Sequence, residues 1–299
     1  MIEVYIFAPL KNVIMEKKWI YLLAVLVSFS FISDKPAYEL FNEKGKKTNY
    51  KKLLKATEDA DIILFGELHN NPINHWLQLE LTKDVHQQIN QEVVLGAEMF
   101  EADDQMIINE YLSGKYDYKT FAKEMKLWTN NKTDYQPLMD YALKNQLGFI
   151  ATNIPRRYAN MVYKDGFGSL NSLTDKGRQY IAPLPIAYDK NLPGYQKMVE
   201  MAGGHGGENL PKAQAIKDAT MAHFILKNWK KGQTFIHYNG TYHSNNFEGI
   251  SWYLNQEKGG LKIVTIAAVE QDQLDSLSAE SIGIADFVIC TPSTMTKTY

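Results

Sequence analysis

Apolar residues in this chain gather into short continuous runs separated by longer segments of mixed polarity. The run Ile62-Ile63-Leu64-Phe65-Gly66 is bounded by Asp61 on one side and by Glu67, His69, Asn70, Asn71 and Pro72 on the other. That pattern predicts a buried strand ending in a loop. Residues 74–88 then read as a helix, with Trp76, Leu79, Val85 and Ile89 near one face. Similar runs predict strands at 38–41, 93–100, 148–153, 234–240, 262–268 and 286–290. Helices are expected at 50–57, 212–230 and 245–256, with a helix-rich stretch reaching Gln146. Asp103-Asp104 suit a helix start, and Pro155 opens the helix after the strand at 148–153. Strands alternating with helices predict an α/β fold with a largely parallel central sheet flanked by helices. Residues 164–211 hold Gly166, Gly168, Pro183, Pro185, Pro193, Gly194 and Gly203-Gly204-His205-Gly206-Gly207, which predicts an inserted irregular lobe. The polar tail from Thr291 is expected to fray.

Composition adds boundaries. The chain has 299 residues, 45% of them hydrophobic, enough to bury the core of a single domain over 34–299 carrying the lobe. Lys17-Lys18 precede an apolar run over 19–32, and Ser28 and Ser30 sit where an export peptidase would read small residues. Residues 1–33 therefore read as a signal segment, with Met15 an alternative start and 1–14 an upstream extension. The expected location is periplasmic or secreted, without a cysteine for lipid attachment near the cleavage region. A formal net charge of −2 with no basic stripe argues against nucleic acid as a partner. The single cysteine, Cys290, excludes an internal disulfide and reads as a small core residue.

The candidate chemistry sits at strand ends, where open α/β sheets bind ligands. Glu67 and His69 follow the first buried run, Glu98 lies in the second, and His243 closes Gly240-Thr241-Tyr242-His243. Both histidines have the form strand, Gly-x-x-His, loop. A charge such as Glu98 inside an apolar strand is costly without a partner. His69, Glu98 and His243 together suit a divalent transition metal. In a hydrolase built on that metal, Glu67 would activate water as general base. Of the other histidines, His75 and His86 are expected to face solvent or the lobe, and His223 and His237 to belong to the core. His205 is either a mobile ligand closing over a pocket or an incidental loop residue.

With these residues in place, the chain resembles the ChaN-like haem-binding family, within a superfamily that includes Tiki/TraB proteins and erythromycin esterases. The resemblance rests on Gly66-Glu67-Leu68-His69 with Asn70, Gly96-Ala97-Glu98-Met99-Phe100, Trp128 before Tyr135-Gln136-Pro137-Leu138, and Ala151-Thr152-Asn153-Ile154-Pro155-Arg156. Ala213-Gln214 with Asp218 and Met221-Ala222, and the Gly240 to His243 motif, complete it. Lys217 departs from the arginine expected beside Asp218, and the missing lipid-accepting cysteine departs from the many lipoprotein relatives. The resemblance implies haem bound between paired subunits with a tyrosine iron ligand, hence a homodimer. On that reading Tyr158 and Tyr163, five apart beyond Arg156-Arg157, are ligand candidates, with His205 as another. Arg156 or Arg157 would pair with propionates. The Tiki-like relatives imply metal-dependent proteolysis instead. Two functions stay open: an exported haem- or iron-binding protein serving uptake or storage, with an outer-membrane uptake component as partner, or a metal-dependent hydrolase at the same strand ends.

Overall fold

The computed structural model describes residues 35–88, 92–203 and 207–299. The expected signal segment and His205 lie outside these described residues. Residues Ala37–Tyr299 form one compact unit.

Seven strands build one sheet: β1 Glu39–Asn42, β2 Ile62–Glu67, β3 Glu92–Glu101, β4 Gly148–Asn153, β5 Gln233–Gly240, β6 Ile263–Gln271 and β7 Phe287–Pro292. Their order is β1-β7-β6-β2-β5-β3-β4. Every neighbouring pair is parallel except that the edge strand β1 runs antiparallel to β7. All six residues of β2 are buried, and the reason is a layer of helices on each face. Ile63 and Phe65 pack with Leu77, Leu81 and Val85 of the helix Pro72–Gln88. Ile62 and Leu64 pack with Ala219, Ala222 and Ile225 of the helix Asn209–Asn228, and with Ile250 and Leu254 of the helix Ile250–Glu257. A strand covered on both sides reads as an unbroken apolar run, which is why β2 stood out.

Two expectations are corrected. In the helix Pro72–Gln88 the apolar face is Leu77, Leu81 and Val85, while Trp76 is 49% exposed and Leu79 only half-buried. Beside that stripe runs a second buried stripe that is polar: Asn74, Gln78 and Thr82, each one turn from the next. Asn74 Oδ1 accepts from the Leu68 N–H at 2.9 Å, and Thr82 Oγ1 lies 2.5 Å from the Tyr238 hydroxyl of β5. The tail does not fray either. Thr291 is buried within β7, the Thr298 N–H donates to the Asn70 carbonyl at 3.0 Å, and Lys297 pairs with Glu270. Backbone and side-chain bonds hold an otherwise polar terminus.

The segment 164–211 is partly helical, with turns at Phe167–Ser172 and Asp175–Arg178 and the helix Pro193–Met201. Leu170 and Ile181 join Ile154, Ala159, Val162, Ala213 and Ile216 in a small core of their own.

Candidate functional site

β2, β5 and β3 are neighbours in the sheet, so their carboxyl ends bring Glu67, the Gly240 to His243 turn and Glu98 to one edge. Register does the rest. Glu67 pairs with Gly240 and Ala97 with Tyr238, and the Gly240 N–H donates to Glu98 Oε2 at 2.7 Å. Two of the glycines are needed for close approach. A Cβ at Gly66 would come within 2.8 Å of the Ile266 carbonyl of β6, and one at Gly240 within 2.7 Å of His69 Nε2. Gly66 thus serves packing between strands rather than a turn.

Glu67 is 1% exposed and saturated with donors. Its Oε1 accepts from the Tyr135 hydroxyl at 2.6 Å and lies 2.9 Å from His69 Nδ1. Its Oε2 accepts from Gln78 Nε2 at 2.5 Å. Burial pushes the Glu67 carboxyl up, but His75, His69 and Tyr135 outweigh it and hold the group below the usual carboxylate range. Burial works against charge on His69 as well, yet Glu67 and Glu98 raise its pKa. The ring meets Trp128 edge-on at 4.9 Å between centroids. With Nδ1 turned to Glu67, Nε2 faces Gly240. Glu67 therefore orients His69, and its buried oxygens are engaged by Tyr135, His69 and Gln78.

His243 occupies the other half of the edge. Its Nδ1 lies 2.5 Å from Asp218 Oδ1 and its Nε2 3.1 Å from Glu98 Oε1. Each nitrogen faces a carboxylate oxygen, which favours the protonated ring, while Gln214 Nε2 lies 2.9 Å from Nδ1 on the same side. Burial disfavours that charge, but Glu98 and Asp218 overcome it and lift the pKa to about 10. Glu98, which burial alone would raise, is pulled well below the usual range by His243, His69 and the Gly240 N–H. Asp218 goes the other way. Burial raises it beyond what His243 recovers, and its Oδ2 has no hydrogen-bond partner.

The strand ends thus bring His69, Glu98 and His243 together within an ion-paired cluster. Among the described residues no three of His, Cys, Asp and Glu are arranged to hold a metal ion. The physical reason is that each His243 nitrogen already faces a carboxylate oxygen, and Glu98 meets both His243 and the Gly240 N–H.

The other candidates are dispersed. Arg157 pairs with Asp103 at 2.6 Å and stacks over the Tyr158 ring at 4.5 Å, so it is committed within the protein. Tyr158 is half-buried against the small core under the lobe, whereas Arg156 and Tyr163 are exposed. His75, expected to face solvent or the lobe, is instead buried against the site, 5% exposed. Its Nε2 lies 3.0 Å from the His69 carbonyl and 3.3 Å from Asp134 Oδ2. His237 belongs to the core as expected, held by Thr152 and Asn239 and lowered by burial to about 4. His223 is half-buried beside Phe224, and Cys290 is buried. Asp218, Tyr135, Gln214 and Trp128 stood among the matched motifs without a role. Gln78 has a signal in the polar stripe of its helix, which apolar periodicity does not report, and His75 packs beside it with Nδ1 3.1 Å from Gln78 Oε1.

One pocket adjoins this edge and a second lies beside the helix Pro193–Met201. The first, of about 370 Å³, is walled in part by Gln214, Asp218, Thr241, Tyr242 and Tyr195. The second, of about 330 Å³, is walled by Tyr188, Tyr195, Val199 and Pro211.

The fold and this edge define an α/β protein whose two Gly-x-x-His turns are backed by buried carboxylates. The family described as "Haem-binding uptake, Tiki superfamily, ChaN" matches residues 53–254, and the chain belongs to that family. Its fold is similar to that of the structure "Cofacial heme binding to ChaN of Campylobacter jejuni", with a TM-score of 0.62, 15% identity, and 84% of this chain and 96% of that chain covered. The chain is also similar to Protein RETICULATA-RELATED 5, chloroplastic, of Arabidopsis thaliana, 25% identical over 199 residues. That match takes in 62% of this chain and 26% of the plant protein, so the chain spans about a quarter of that relative.

Proposed function

We propose that this chain is an exported haem-binding protein serving haem or iron uptake or storage, acting as a homodimer alongside an outer-membrane uptake component. The observation that carries this reading is the family match over residues 53–254. The basic pair Lys17-Lys18 before the apolar run over 19–32 supports export.

The donor set beside the helix Pro193–Met201 suits haem, an apolar plate with two carboxylates at one edge. Tyr188 and Tyr195 stack at 5.7 Å between centroids, Phe167 meets Tyr188 edge-on, and Val199 and Pro211 extend the apolar wall. Lys190 also lines this pocket, where its ammonium group would meet a propionate, while Lys212 on the same wall donates to Asn209 and lies 4.0 Å from Glu208. Tyrosine is an established iron-ligand type, and the half-buried Tyr188 is the phenol of choice here. Bound haem would supply an iron centre at that wall. The pocket is at the lower end of the range for small-molecule sites, so it covers part of a porphyrin and a second copy of the chain would cover the rest. In such a pair the exposed Tyr163 and Arg156 become available as further contacts. Titration of the purified protein with haemin is expected to give a saturable Soret band, weakened at least tenfold in affinity by Tyr188→Phe. No Soret change at any ratio would remove haem from the reading.

One observation favours a second reading, hydrolysis. His69 is oriented by Glu67 with Nε2 turned inward, and the imidazolium of His243 lies across Glu98. That is an oriented base beside a protonated group, which suits water attack on an ester or amide carbonyl. Replacing His69 with alanine would then reduce hydrolysis of an activated ester by roughly 10²–10⁴-fold. Equal rates for the two proteins would exclude it.

A further inference from the structure

The pocket beside His243 has features that neither reading uses. Asp218 is 1% exposed and turns Oδ1 to His243, while Oδ2 is buried with no hydrogen-bond partner. A buried acceptor left unpaired costs about 1–3 kcal/mol, so the fold keeps this oxygen at the expense of stability. Oδ2 faces Gly249, where a Cβ would come within 3.2 Å of it, and both residues line the pocket. On the same wall the buried Tyr195 phenol lies against the Tyr253 hydroxyl, which donates its own proton to the Ala187 carbonyl, so the Tyr195 oxygen keeps a free acceptor site.

The loop that completes the wall is strained. Asn246 and Phe247 both adopt positive φ, 58° and 59°, and for a bulky residue such as phenylalanine that is a rare conformation. Surrounding bonds hold it there: the Asn246 N–H donates to the Ile284 carbonyl at 2.8 Å, and Glu248 Oε2 accepts from the Gly194 N–H at 2.8 Å. Strain maintained in this way concentrates at ligand sites. Charge points in one direction. The wall carries Asp218, Glu248 and Glu280 against Lys197, with Glu270 already paired to Lys297.

We propose that this pocket binds a primary ammonium group, seated between Asp218 Oδ2 and the Tyr195 phenol oxygen. The single free carboxylate oxygen sets the class. A guanidinium engages a carboxylate through both oxygens in a planar fork, and Oδ1 is taken by His243. An ammonium is a point charge with three donors that needs no fork. A volume of about 370 Å³ admits an amine the size of an amino acid. The proposal stands without haem, since every group it uses lies on this wall.

The test is calorimetric titration of the purified protein with n-butylammonium, n-propylguanidinium and n-butanol. Saturable millimolar binding of n-butylammonium is expected, at least tenfold tighter than n-propylguanidinium, with no binding of n-butanol. Asp218→Asn is expected to abolish binding. Because that change also disturbs His243, Tyr195→Phe is the second variant, expected to weaken n-butylammonium severalfold with the melting temperature unchanged. No saturable n-butylammonium binding, equal affinity for the guanidinium, or full affinity in Tyr195→Phe would each overturn the proposal.

Discussion

Replacing His243 with alanine is expected to destabilise the protein by about 3–5 kcal/mol, the usual consequence of stripping one partner from a buried ion pair. The ring separates two carboxylates that are almost completely buried, Glu98 and Asp218. Without it they would share a dry site with no cation between them, although Glu98 would keep the Gly240 N–H. A loss of that size corresponds to a fall in melting temperature of roughly 6–20 °C for a domain this large. The effect is also pH-dependent, and its sign follows from linkage. The folded pKa of His243, about 10, lies above its ordinary value of 6.5. Its charge therefore stabilises fully below about 6.5, and that contribution is lost as pH rises through 10. Glu98, held low, contributes above its ordinary 4.5 and loses that contribution as pH falls into the acid range. Asp218, held high, opposes stability as pH rises past its ordinary 3.8. The gap in melting temperature between the parent protein and His243→Ala should thus be widest near pH 5–6 and shrink toward pH 10. A gap that stays constant over that span would mean the ring acts by packing alone.

The second large effect belongs to Glu67→Ala. Its two oxygens answer Tyr135, His69 and Gln78, and deletion leaves those groups without a buried acceptor. At about 1–3 kcal/mol for each unsatisfied group, and with the losses non-additive among neighbours, the expected cost is about 3–5 kcal/mol. Glu67→Gln keeps the shape but sets an amide NH₂ against one of the three donors, so it should cost less. Its diagnostic readout is His69. Glu67 helps hold that imidazole above its ordinary pKa, so the His69 titration followed by NMR should move downward in Glu67→Gln. An unchanged titration would assign the raised value to Glu98 alone and end the claim that Glu67 orients the ring.

Gly240 and Glu98 illustrate why half of this site is legible in the sequence. A charge in the run 93–100 and two Gly-x-x-His turns mark strand ends, because burying apolar side chains on both faces of β2, β3 and β5 imposes local patterns that survive in one dimension. Placement of those groups on one edge follows from parallel strands alone, since each delivers its carboxyl end to the same side. The pairing of the groups is different. The helix Asn209–Asn228 must cross the sheet at one level for Asp218 to meet His243, and β3 must pair in one register for Glu98 to reach the Gly240 N–H. Both are distances between segments far apart in the chain, and no periodicity encodes them.

The same division runs through the rest of the molecule. Sequence alone determined the α/β class with a largely parallel sheet, the positions of its seven strands, the helices at 50–57 and 212–230 to within a few residues, and His237 and Cys290 as core. These depend on hydrophobic burial, which is local and roughly additive. Tertiary structure alone decided that the buried side of the helix Pro72–Gln88 carries Asn74, Gln78 and Thr82, that His75 turns inward, that Arg157 meets Asp103, and that the tail returns to Asn70. It also decided that Glu98 and His243 meet as an ion pair and that His69 turns to Glu67. Polar groups enter a protein interior only where a specific partner offsets lost hydration, and the partner's position is a property of the folded chain.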